Sequence, residues 1–150
     1  MDHAEYAKEL FYEGYNCAQA VAAAFCDVMD LDRETAAKLA SSFGGGMGRM
    51  REVCGTVSGA LLVLGMVKGY ADPDDPEAKS AHYARVQEFG RRFREANGSI
   101  VCRELLAGVP VSTGGRPEER TPEFYKKRPC AGLVYSAAQI LSEMLENDLP

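Results

Sequence analysis

Apolar residues recur at steps of three and four positions along almost the whole chain, which is the spacing of one face of a helix. No stretch alternates apolar and polar residues strictly enough to predict a strand. The face of the first predicted helix carries four apolar residues: Ala4, Ala7, Leu10 and Phe11. Gly14 is placed to end this helix in a left-handed turn. Asn16 then serves as the N-cap of an alanine-rich second helix, which is predicted from residue 17 to about residue 29.

Capping residues and glycines mark the next two helices. Asp32 predicts the start of a third helix, and the glycine-rich run at residues 44–48 predicts its end, because consecutive glycines lose too much backbone entropy to remain helical. The inner side of this helix is predicted to carry Ala36, Leu39, Ala40 and Phe43. A fourth helix is predicted from about residue 53 to residue 69, with the glycine run as the connection that leads into it.

The second half of the chain predicts three more helices. The fifth begins at Asp75 and Pro76, a cap followed by a proline in the first turn, and ends at Gly98. Ser99 predicts the cap of a short sixth helix, and the last helix spans about residues 130–146. The sequence therefore predicts an all-α fold, a single-domain helical bundle of about six or seven helices.

Residues 108–129 interrupt this helical pattern with seven prolines and glycines: Gly108, Pro110, Gly114, Gly115, Pro117, Pro122 and Pro129. A connection of this length exceeds a simple turn, and such loops often form lids or contact surfaces. The chain has 150 residues in all, which fits one domain with one core, so we expect residues 1–150 to fold as a unit.

Charge and hydropathy exclude two kinds of partner. The formal net charge is -5, whereas a protein that binds nucleic acid needs a surplus of Lys and Arg. The longest apolar segment, residues 56–67, is shorter than the roughly 18 residues that predict a membrane span. The N-terminal segment has neither the basic start nor the apolar stretch of a secretory signal, so we expect a cytoplasmic, reducing environment. The five cysteines are then expected to be thiols, metal ligands or a catalytic pair.

Four of the five cysteines are predicted in the first turn of a helix: Cys17, Cys54, Cys102 and Cys130. Unpaired backbone N–H groups and the helix dipole stabilise an anion there, so we expect these thiols to have a lowered pKa. Arg51, Arg103 and Arg128 lie close to three of them in sequence and add positive charge. Cys26 falls in mid-helix on the opposite face from Cys17, and we leave it out of the site. Inert buried thiols are the alternative interpretation.

Small residues surround Cys54 on the fourth predicted helix. Gly55, Ser58 and Gly59 leave the first two turns almost without bulk. A cofactor or a disulfide partner could approach Cys54 closely on this side, which makes the three residues candidate cofactor-binding positions. Close packing of two helices explains the same pattern equally well.

At these residues the sequence resembles the redox-active C_GCAxxG_C_C family, small bacterial and archaeal helical proteins with four characteristic cysteines. The segments that carry the resemblance are Tyr15–Ala20, Cys54–Gly59, Cys102–Leu106 and Cys130, and the match as a whole covers nearly the entire chain. Thr56 stands where the signature has alanine. The resemblance implies redox function, and a similar domain that accompanies haem cytochromes is associated with an iron–sulfur centre.

Several functions remain open at this point. The first is an iron–sulfur electron-transfer site with four thiolate ligands, Cys17, Cys54, Cys102 and Cys130. The second uses the same thiols as reversible disulfides without metal, and a zinc site carries less weight because no Cys-x-x-Cys is present. The third is a non-catalytic helical interaction module. We expect a redox partner protein, which two basic spots would attract, residues 91–94 and 126–128, and a homodimer is a further hypothesis.

Overall fold

A computed structural model describes residues 1–150 and confirms the all-α class. The helices in chain order are α1 (His3–Tyr12), α2 (Cys17–Ala24), α3 (Cys26–Met29), α4 (Arg33–Ala40), α5 (Gly44–Met47), α6 (Gly55–Lys68), α7 (Pro76–Asn97), α8 (Cys102–Leu105), α9 (Pro122–Lys127) and α10 (Cys130–Met144). Short 3-10 turns follow α4 and α10, at Ser41–Phe43 and Glu146–Asp148. Val53 and Val101 form an isolated antiparallel β-bridge. The helices outnumber the predicted six or seven because α3, α5 and α9 are short additions.

Most helix starts lie where local capping signals predict them. Asn16 caps α2 in a reciprocal capping box with Gln19, and Asp32 and Asp75 cap α4 and α7. In each case a side-chain oxygen accepts a hydrogen bond from a backbone N–H that the helix leaves unpaired. Gly98 adopts a φ of +97° at the C-cap of α7, the left-handed conformation that glycine permits.

Four sequence-based expectations are wrong in detail. The second helix is not continuous to residue 29, because the backbone breaks at Phe25, whose buried ring stacks on His3. Ser99 does not cap the sixth helix, since the bridge at Val101 keeps the chain extended up to Cys102. Residues 108–129 are not one continuous loop, because they contain α9. Leu39 does not face the core, since it is 54% exposed.

Helix α2 forms the centre of the core. Its alanines are almost completely buried and let α1, α4 and α6 approach it closely, while α10 packs against α1, α6 and α7. This arrangement brings the N-terminal ends of α2, α6 and α10 to one side of the molecule, beside α8. None of the helices combines the length and apolarity that crossing a bilayer demands.

Candidate functional site

A cavity of about 250 Å³ lies where these helix starts meet. All four predicted cysteines line it: Cys17, Cys54, Cys102 and Cys130. They come from four different elements, and every one is a free thiol. Cys26 is the first residue of α3 and not in mid-helix as predicted, because the second helix breaks at Phe25, but it does not line the cavity. The structure therefore brings the candidate set together from positions far apart in the sequence.

Three of the four cysteines lie where the sequence predicts them, in the first turn of a helix. Cys17, Cys102 and Cys130 are each the first residue of their helix. Cys54 is instead the N-cap residue of α6, one position before the first turn. Its N–H donates to the carbonyl of Ile100 at 2.8 Å, beside the Val53–Val101 bridge, and this contact fixes it opposite α8.

The glycine run at 44–48 contains the short helix α5, whose backbone leaves helical φ/ψ at Gly45 and Gly46, and it packs closely between the cysteine-bearing elements. A Cβ at Gly46 would lie 2.7 Å from the Cβ of Cys102 and 2.6 Å from the backbone nitrogen of Glu52. Gly46 also has a φ of +68°, and Arg49 and Arg51 follow it with φ values of +69° and +62°. This left-handed run, which is unfavourable for arginine, turns the chain so that both arginines line the cavity.

The small residues after Cys54 have separate positions. A Cβ at Gly55 would lie 2.5 Å from the Sγ of Cys17, so this glycine allows a thiol to approach the start of α6. A Cβ at Gly59 would lie 2.5 Å from the carbonyl oxygen of Ala18, so Gly59 permits the close packing of α2 on α6. Ser58 does not line the cavity, whereas Thr56 does, with its Oγ1 3.1 Å from the Sγ of Cys54.

The expectation of lowered thiol pKa values is wrong for three cysteines. Burial raises the pKa of Cys54 to about 12 and that of Cys130 to about 11, and it also raises the pKa of Cys17. Backbone N–H groups, among them that of Gly45, favour the Cys17 thiolate, but the loss of hydration is the larger effect. A negative charge on Cys17 further opposes ionisation of Cys54 and Cys130, which indicates how close the sulfurs lie.

The thiols surround the cavity without converging on a point. No three His, Cys, Asp or Glu side chains are close enough to hold a single metal ion as they stand. The cavity therefore separates the sulfurs, and polar side chains line it beside the thiols.

Four arginines also line the cavity: Arg49, Arg51, Arg120 and Arg128. The guanidinium of Arg51 donates to the Sγ of Cys102 at 3.8 Å, not to its sequence neighbour Cys54. Arg128 contacts Glu118 inside the protein and is not part of an exposed basic spot, because its side chain is only 7% exposed. Arg103 stays at the surface, where it pairs with Glu52. The arginines at 91 and 92 pair with Glu88 on the surface of α7.

Three residues of this site could not be found from the sequence: Arg49, Glu118 and Arg120. Nothing in the sequence links Arg49 to Glu118, since they lie 69 residues apart and neither belongs to a motif. Arg120 stacks on the rings of Phe11 and Phe124 and donates to the carbonyl of Phe11.

The fold and the cavity together define the class of this protein, a helical protein with four free thiols around one arginine-lined site. Residues 15–144 match the family described as "Putative redox-active protein (C_GCAxxG_C_C)", and the chain belongs to this family. No curated protein and no solved structure matches the chain. The family match confirms the resemblance drawn from the cysteine segments, and with it the broad assignment to a redox-active family.

Proposed function

We propose that this protein transfers electrons through an iron–sulfur cluster held by Cys17, Cys54, Cys102 and Cys130. The observation that carries the proposal is that four cysteines from four separate elements line one cavity of about 250 Å³. Four cysteine thiolates are the common ligand set of [2Fe–2S] and [4Fe–4S] clusters. When bound, such a cluster takes up and releases single electrons.

The spacing of the thiols favours a cluster over a single ion. Zinc requires four ligands within about 2.3 Å of one point, and no three candidate ligands converge in that way. A cluster has several iron atoms, so the four thiolates do not have to converge on a single point. The zinc alternative therefore has less support than the cluster.

The raised thiol pKa values weigh against exchange chemistry without metal. Thiol–disulfide exchange needs a thiolate, and burial keeps Cys54 and Cys130 protonated at neutral pH. A bound cluster removes this obstacle because a thiol that coordinates a metal releases its proton to solvent. The buried thiols thus suit ligands better than nucleophiles.

The surroundings of the thiols suit a negatively charged group. The backbone N–H of Gly45 favours the Cys17 thiolate, Arg51 donates to Cys102, and the hydroxyl of Thr56 lies 3.1 Å from Cys54. Hydrogen bonds to the sulfurs and nearby charge are the means by which proteins adjust cluster potentials. We further propose a redox partner protein, since an electron carrier of this kind needs a donor and an acceptor. We also propose a cytoplasmic location.

The test is anaerobic purification followed by reconstitution with iron and sulfide. We expect visible absorption, bound iron and acid-labile sulfide in the wild-type protein, and their loss when Cys17, Cys54, Cys102 or Cys130 is replaced by serine. Cys26→Ser is the matched control and keeps the cluster, because Cys26 lies outside the cavity. A colourless, iron-free protein whose thiols close reversibly would instead identify a thiol–disulfide redox protein.

A further inference from the structure

The carboxylate of Glu118 lies among three arginines whose side chains are largely buried. Its Oε1 is 3.4 Å from Nη2 of Arg49 and 3.5 Å from Nη2 of Arg51, and its Oε2 contacts Nη2 of Arg128. The arginine side chains are 12%, 6% and 7% exposed, whereas that of Glu118 is 29% exposed. We call these three residues the arginine cluster.

The arginine cluster carries more positive charge than its partner offsets. Glu118 is the only carboxylate in ion-pair contact with Arg49, Arg51 or Arg128, so three guanidinium charges share one negative charge. Buried charges that lack partners are costly, and the remaining positive charge attracts a further anion. Planar guanidinium groups also match the paired oxygens of carboxylates and other oxyanions.

Glu118 belongs to a surface segment that the same arginines hold in place. Arg51 donates to the carbonyl of Ser112 at 2.8 Å, and Arg49 donates to that of Gly114 at 2.7 Å. Residues 112–117 are exposed, so little buried apolar surface opposes their displacement. An incoming anion can therefore replace the Glu118 carboxylate without unfolding the core.

We propose that the arginine cluster binds a small oxyanion with two negative charges in the place of Glu118. A dianion would neutralise two of the three charges, where Glu118 neutralises one. The guanidinium of Arg51 contacts Glu118 and lies 3.8 Å from the sulfur of Cys102. Only this guanidinium would therefore separate an anion in the place of Glu118 from the Cys102 thiol. This binding does not rest on the proposed function.

The test is titration calorimetry of the metal-free protein with sulfate, and in parallel with succinate, against chloride at the same ionic strength. Glu118→Gln removes the competing charge, and we expect sulfate to bind at least about tenfold tighter than to the wild type. Arg49→Gln and Arg128→Gln each remove a donor and should weaken binding by about tenfold. The exposed residues Glu119 and Arg94 supply matched controls, since Glu119→Gln and Arg94→Gln change the same charges elsewhere and should leave affinity unchanged.

Equal sulfate affinity in Glu118→Gln and the wild type would overturn the proposal, as would undiminished binding by Arg49→Gln. If Glu118→Gln does not fold, the rise in Tm that sulfate gives the wild type over chloride must disappear in Arg128→Gln and persist in Arg94→Gln. Iron binding is measured separately. Cluster binding without sulfate binding would contradict only this inference, and sulfate binding without iron binding would contradict only the proposed cluster.

Discussion

At Gly55 the absence of one side-chain atom lets the start of α6 meet a thiol of α2. A Cβ there would lie 2.5 Å from the Sγ of Cys17 and 2.7 Å from the carbonyl oxygen of Phe43. We therefore expect Gly55→Ala to displace Cys17 and to lower the free energy of unfolding by roughly 1–3 kcal/mol, the usual cost of overpacking. Denaturant unfolding of the metal-free protein measures the loss, and iron content after reconstitution measures the effect on the site.

Gly90 supplies the control for this substitution. It lies inside α7, and nothing is within 4 Å of the Cβ that alanine would add. Gly90→Ala should stabilise the protein by roughly 0.5–1 kcal/mol, because alanine loses less backbone entropy in a helix. Gly55→Ala protein with wild-type stability and full iron content would contradict the close approach of Cys17 to α6.

The buried thiols predict a pH dependence of stability. Burial raises the pKa of Cys54 from 9.0 to about 12 and that of Cys130 from 9.0 to about 11. Above pH 9 the unfolded chain loses these protons while the folded chain keeps them, so the free energy of unfolding falls as pH rises from 9.0 towards about 12. Below this window the contribution is fully present.

Other groups titrate at alkaline pH, so variants must isolate the thiol. Unfolding of metal-free Cys54→Ser by urea should show a shallower fall with pH than the wild type, because serine does not titrate in this window. Cys26→Ser keeps both Cys54 and Cys130 and should follow the wild-type curve. Parallel curves for Cys54→Ser and the wild type would show that burial does not control the Cys54 proton.

The start of α2 links a helix cap to the site. The Oδ1 of Asn16 accepts from the N–H of Gln19 at 2.8 Å, and its Nδ2 donates to the carbonyl of Ser41 at 3.2 Å. Asn16→Ala should cost about 1 kcal/mol, the usual value of a lost cap. Since Cys17 is the next residue, the same change should lower iron incorporation.

Asp75→Ala is the matched control for Asn16→Ala. Asp75 caps α7 through the N–H of Ala78 and does not line the cavity, so its loss should weaken the fold comparably and leave iron content unchanged. Urea unfolding and iron analysis of both variants make the comparison. Similar iron loss in both would mean that general stability, and not the cap next to Cys17, governs loading.

Elements with local signals could be predicted from the sequence, and elements shaped by distant contacts could not. Asn16, Asp32 and Asp75 mark helix starts because a cap acts within three residues of itself. The break at Phe25 lies in an alanine-rich run without any local signal and coincides with the stacking of its ring on His3. Helix α9 has a Thr121 cap, but the surrounding prolines favoured a loop.

For the whole molecule, the same distinction separates the thiols from their charged neighbours. The cysteines could be predicted as a set because they lie at or next to predicted helix starts and in segments that resemble the family, both of which are local features of the sequence. Their protonation could not, since burial depends on how the entire chain packs around the cavity. Arg49 and Arg51 reach Glu118 across 69 and 67 residues, and no spacing rule covers contacts of that range.

A cluster bound by all four cysteines would connect the N-terminal ends of α2, α6, α8 and α10 in the folded protein only. A ligand that binds the folded state stabilises it, and at about a hundred times its Kd the gain is roughly 2.7 kcal/mol. For a chain of this size we therefore expect reconstitution to raise the Tm by roughly 5–10 °C. Cys26→Ser should show the full rise, because Cys26 takes no part in the site.

The variant with serine at all four cavity positions, 17, 54, 102 and 130, should show no rise, because it retains the helices but lacks the ligands. Thermal unfolding followed by circular dichroism, with and without iron and sulfide, measures the difference. A rise that persists in this variant would place the metal elsewhere on the chain. A wild-type protein that binds iron without any rise would mean that the unfolded chain holds the metal as tightly as the folded protein, so that the site does not depend on the four elements meeting.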